Sequence, residues 1–95
     1  MHDWILLSLL VYWGKGELVI KLLDNSSESV VIKANGIRLI NIPKNDKWGE
    51  SVSINGIIEL GRDSDGLERM KIEIQSGDVI EIVAEEILFQ NQSVF

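Results

Sequence analysis

Ninety-five residues carry enough apolar surface for one hydrophobic core and little else, so the chain reads as a single domain. The absence of cysteine excludes a disulfide framework, a zinc-thiolate site and a thiol nucleophile. A formal net charge of -6 argues against nucleic acid and anionic membrane as partners, because binding to phosphate groups draws on basic side chains that displace counterions.

The longest apolar run is Trp4 to Trp13 (WILLSLLVYW). It is shorter than the roughly 20 residues that span a bilayer as a helix. Asp3 before it and Gly14-Lys15-Gly16 after it are not the flanks of a signal peptide, so the run reads as core and the protein as cytoplasmic. Periodicity cannot separate strand from buried helix over so short a stretch. Trp, Tyr, Val and Ile favour strand and the leucines favour helix; strand is the reading adopted, either central or an edge used for dimerisation.

Gly14-Lys15-Gly16 is a turn, and Glu17 to Leu23 alternates with period two, which makes a hairpin. Asp24 to Glu28 is a loop, since Asp, Asn and Ser bond their own nearby backbone. Ser29 to Ala34 is a strand broken at Asn35-Gly36, and Ile37 to Ile42 is another that ends at Pro43. Ser51 to Leu60 is a strand with a bend or bulge at Asn55-Gly56. After the turn-rich Gly61 to Gly66, Leu67 to Gln75 alternates cleanly, with Met70, Ile72 and Ile74 on one face. Ser76-Gly77 suits a tight hairpin turn; Asp78 to Ala84 and Ile87 to Phe89 complete the strands, with a polar, fraying tail from Gln90.

The fold class is therefore all-β: about eight short antiparallel strands in two meander-like halves, forming a sandwich or a barrel. An internal repeat is expected over 1–47 and 48–95. Val30-x-Ile32-x-Ala34-x-x-Ile37-x-Leu39 matches Ile80-x-Ile82-x-Ala84-x-x-Ile87-x-Phe89, with Ile20-x-Leu22 set against Ile72-x-Ile74 by a loop two residues shorter. Charge also divides between the halves. Residues 1–47 hold six basic and five acidic side chains, whereas 48–95 hold three basic and ten acidic ones. Such an acidic half either confers solubility or steers a basic protein partner.

Few side chains suggest chemistry. His2-Asp3 has no second histidine with which to build a metal triad. Asp63-Ser64-Asp65-Gly66 looks like the start of a calcium loop, but Glu68 is too close to act as its closing bidentate acid, so an ordinary turn is preferred. Glu81, Glu85 and Glu86 alternate between strand faces and read as a solvated rim and a candidate interaction surface, not a catalytic pair. No nucleophile elbow or phosphate loop is present, so the chain is expected not to be an enzyme and to need no cofactor or metal. Trp48, in the central loop with Glu50, is either a lid on the core or an exposed binding anchor. The readings that follow are a protein-interaction module of immunity or adaptor type, or a small-molecule or carbohydrate binder using Trp48. Homodimerisation through Leu23, Val31, Ile40, Val83 and Leu88 is also expected, because these residues lie opposite the core-facing positions.

His2-Asp3-Trp4, Trp13, Pro43, Trp48-Gly49-x-Ser51-x-Ser53-x-Asn55 and Gln75-Ser76-Gly77-Asp78-x-Ile80 together resemble a family of short uncharacterised bacterial proteins of about this length. The resemblance covers nearly the whole chain and implies no known activity. Proline usually follows Trp-Gly in such sequences; Glu50 stands there here, which bears on the rigidity of that loop.

Overall fold

In a computed structural model, the structure describes residues 4–43, 53–75 and 77–91. Trp4–Tyr12 forms β1, followed by a single 3-10 turn at Trp13–Lys15, β2 (Glu17–Leu23), β3 (Ser29–Asn41), β4 (Ser53–Arg62), β5 (Glu68–Ile74) and β6 (Val79–Asn91). All neighbouring strands are antiparallel, in the ring order β1-β2-β3-β6-β5-β4. Among the described residues the ring closes through Trp4↔Ile54 and Ile5↔Ser53. With principal extents of 37 × 35 × 24 Å the molecule is flattened, lying between a closed barrel and two packed meanders. No helix among the described residues is long and apolar enough to cross a membrane.

The strand count falls from about eight to six because neither expected break interrupts hydrogen bonding. Ala34 and Ala84 face the core, and three residues later Ile37 and Ile87 return to it, which a strict period of two would forbid. Gly36 makes this possible in β3 with φ 66, a backbone angle that side chains rarely adopt. The two kinks lie opposite each other, with Ala34↔Ile87, Asn35↔Glu86 and Ile37↔Ala84 paired, so the strands change face together and remain joined. Gln90 and Asn91 belong to β6, pairing with Val31 and Val30, instead of starting a frayed tail.

The same register is regular under a shift of 50 residues, which turns Ala34↔Ile87 into Ala84↔Ile37. Ile20↔Ile32 and Met70↔Ile82 are also related by that shift, so Met70, not Ile72, stands where Ile20 does. The reason is that the turns between the paired strands have equal length. The Asp24 N–H donates to the Glu28 carbonyl (2.9 Å) and the Ser27 N–H to Asp24 (3.0 Å); the Ile74 N–H donates to Asp78 (2.9 Å) and the Gly77 N–H to Ile74 (2.8 Å). Asp63 and Gly66 repeat the pattern between β4 and β5. The fourth turn residue is left-handed each time: φ is 61 at Ser27, 85 at Gly66 and 97 at Gly77.

The interior is aliphatic. Leu18, Ile20, Leu22, Ile32, Ile54, Met70, Ile72, Ile80 and Ile82 are fully buried, each burial stabilising by about 1.5–3 kcal/mol. The bulge expected near Asn55-Gly56 is present as a register shift between Ile54 and Gly56.

The proposed dimer face does not form an exposed patch. Val31 and Val83 are buried, Leu23 and Ile40 are half-buried, and Leu88 is exposed. Val31 is flanked across the strands by Lys21 and Gln90, and Val83 by Arg69 and Leu39, all longer side chains that can shield a short β-branched one. Exposed apolar groups are found elsewhere, at Ile5, Leu7, Leu10, Val11, Tyr12 and Trp13, and at Ile58 and Leu60.

Candidate functional site

The tight connection between β1 and β2 forms one side of a concave surface. Tyr12 pairs with Glu17, which leaves room for only the 3-10 turn and Gly16 between the strands. Gly16 is left-handed, and its N–H closes the turn onto the Trp13 carbonyl at 3.1 Å. The Gly16 carbonyl accepts the Ile37 N–H at 3.0 Å, fastening the turn to β3 just after the Gly36 kink. Trp13, in this turn, is 90% exposed.

A second irregularity completes the site. Ile37 pairs with Ala84 and Leu39 with Val83, so Arg38 is an extra residue that bulges from β3. Val11, Trp13, Gly16 and Ile37 to Ile40 line a cleft of about 310 Å³. Ile37 and Ile40 reach through it to the core cluster, while Val11 and Leu39 keep exposed apolar walls. The Arg38 guanidinium donates through Nη2 to Glu85 Oε1 at 3.4 Å, an ion pair with both side chains more than half exposed.

The structure separates the candidates that sequence grouped. Glu81 pairs with Arg69 at 3.4 Å, and Arg69 also reaches Asp63 at 3.3 Å. Glu59, Lys71 and Glu81 occupy one row across β4, β5 and β6, with Lys71 Nζ 3.2 Å from Glu59. Each of the basic residues of the second half, Arg62, Arg69 and Lys71, therefore has an acidic partner in that same half. The outer face of these strands is a ladder of mixed sign, not a uniform acidic sheet. Glu85 lies against Gly36, where an added Cβ would come within 2.6 Å of its carboxyl carbon, while Glu86 accepts from Asn35 Nδ2 at 3.2 Å. Trp48, Glu50, His2 and Asp3 lie outside the described residues.

Asp63 to Gly66 is an ordinary turn. Asp65 Oδ1 accepts the Leu67 N–H at 3.4 Å, and Asp63 is committed to Arg69. No group of three or more His, Cys, Asp or Glu side chains suited to a metal occurs among the described residues.

Two side chains matter more than their sequence context suggested. Trp13 reads as the end of an apolar run, although the adjacent Gly14-Lys15-Gly16 is the signal that it sits on a turn. Glu68 is the first residue of β5, half-buried, and its carboxylate accepts the N–H of Ile87 and also pairs with Arg62 Nη2 at 3.0 Å. It does for the second kink what the Gly16 carbonyl does for the first.

No family model and no curated protein matches the chain. Among solved structures it is similar to an uncharacterized protein from Neisseria gonorrhoeae, with a TM-score of 0.72 and 21% identity over 95% of this chain and 92% of that one. At that identity the likeness shows a shared fold.

Proposed function

We propose that this chain is a non-enzymatic protein-interaction module, an adaptor- or immunity-type domain that docks through the cleft between the β1–β2 turn and β3. The carrying observation is the fully presented Trp13 beside an apolar cleft whose floor is continuous with the core. Large aromatics next to apolar pockets dominate binding energy at protein interfaces, and an exposed one is otherwise an unfavourable use of apolar surface. In this reading the anchor is Trp13, while Trp48, read from sequence as either a lid or an anchor, lies outside the described residues. The acidic half contributes long-range charge, but its outer-face ion pairs leave the cleft as the better-built contact surface.

The test is affinity capture from the source cells with wild-type chain and Trp13→Ala side by side. A partner retained by wild type and lost with Trp13→Ala supports the reading; a partner held equally by both overturns it. A small-molecule or carbohydrate binder is the second reading. It is favoured by a cleft volume at the lower end of the roughly 300–1,000 Å³ seen for ligand pockets, with an aromatic at its mouth. Saturable binding of a sugar or metabolite that Trp13→Ala abolishes, with no protein captured, would select it.

A further inference from the structure

We infer that the cleft takes an acidic, apolar segment of the partner: a leucine-like side chain inserted between Trp13 and Ile40, with a neighbouring carboxylate held by Arg38. The inference rests on the docking reading above and concerns the partner's chemistry. It reverses what the net charge suggests, because overall the chain is acidic and should attract bases.

Local charge decides the matter. Among the described ion pairs, the second-half cations are all committed to acids, and the row Glu59-Lys71-Glu81 places two acids beside one base. The cleft differs. Arg38 is one of its lining residues and among the described residues makes one side-chain hydrogen bond, to Glu85, which engages one of its five N–H donors. Lys15, in the turn between the lining residues Trp13 and Gly16, has no carboxylate among the described ion pairs and rests with Nζ 5.6 Å from the Tyr12 ring centroid. A basic segment entering here would meet the Arg38 guanidinium. An acidic one would meet a planar guanidinium suited to bidentate capture of a carboxylate. The apolar floor of Ile37 and Ile40 and the Val11 and Leu39 walls select the accompanying side chain.

Calorimetric titration of the full chain with two acetylated, amidated peptides of equal length tests this, one alternating Leu with Asp and the other Leu with Lys. The Leu–Asp peptide is expected to bind at least about ten-fold more tightly, and Arg38→Glu to weaken it by about ten-fold or more, the scale of a charge-assisted hydrogen bond. Glu85→Gln, which removes the competing carboxylate, is expected to tighten binding by up to about five-fold, the scale of an exposed ion pair. Far-UV circular dichroism and a thermal melt establish that each variant is folded. Equal binding of both peptides, binding of neither at millimolar concentration, or an unchanged affinity in folded Arg38→Glu overturns the inference. Those results leave the docking reading standing as long as capture still depends on Trp13, whereas loss of that dependence overturns the docking reading itself.

Discussion

Replacing Glu68 by alanine removes the acceptor of the Ile87 N–H at the point where β6 changes face. Ile87 is buried, at 8% exposure, so its N–H is poorly placed to recruit water in compensation. A hydrogen bond to a charged group contributes about 1.5–3 kcal/mol, and an orphaned buried donor costs about 1–3 kcal/mol, two descriptions of one loss that must not be added. The Arg62 pair adds at most about 1 kcal/mol, since the arginine is largely exposed. A total of about 2–3 kcal/mol is therefore expected, a large share of the 5–15 kcal/mol typical of a domain. For a chain of this size that corresponds to a fall in Tm of about 8–24 °C. Urea unfolding followed by far-UV circular dichroism gives the free energy directly. Glu68→Gln, which keeps a carbonyl acceptor and loses the charge, should cost about half as much. A loss below about 0.5 kcal/mol for Glu68→Ala, the range of ordinary surface substitutions, would refute the assignment of this carboxylate to the kink.

Further outcomes follow from the same geometry. Trp13→Ala should change stability by less than about 0.5 kcal/mol in the same assay, because the side chain is 90% exposed and supports nothing. Met70→Ala, in the fully buried cluster, should cost about 2–5 kcal/mol. Gly36→Ala combines a left-handed backbone with a Cβ 2.6 Å from the Glu85 side chain. It should cost at least about 1–2 kcal/mol from the backbone angle alone, and Glu85→Ala in the same chain should recover only the steric part. Ser27→Gly, at the one described non-glycine position with positive φ, should raise stability by about 0.5–1 kcal/mol in a thermal melt, relief of strain exceeding the added freedom of the unfolded chain. Gly77→Ala, at the matching position of the second turn, should lower it by a similar amount.

Strand identity was legible wherever one face is buried. Leu18, Ile20 and Leu22 and then Met70, Ile72 and Ile74 announce themselves by alternation, and the turns by Gly, Asn and Asp. The run from Trp4 lacks alternation, yet it forms β1, partly because a bulge at Leu7 interrupts the period between Leu6 and Ser8. Asn35-Gly36 misled because a glycine that ends a strand and one that kinks it read the same in one dimension; only the facing kink in β6 distinguishes them. The site was less legible still. Glu81, Glu85 and Glu86 share a stretch of sequence, but Glu81 is drawn to Arg69 on β5 and the other two to Arg38 and Asn35 on β3. The cleft depends on Val11 meeting Ile37 to Ile40, a contact between segments joined by no local pattern.

The short closure of the ring also sets how the molecule breathes. Among the described residues Trp4 and Ile5 hold β4 by two residue pairs, whereas β3 and β6 are paired from Val30↔Asn91 to Asn41↔Glu81. Amide hydrogen exchange should therefore be graded around the ring, with the protons of Ile5 and Ile54 released by a partial opening that leaves both meanders intact. Those of Ile32 and Ile82 should exchange only when the whole domain unfolds. Such an opening at the start of β1 lies at the far end of that strand from the Trp13 cleft and would leave the cleft's lining in place.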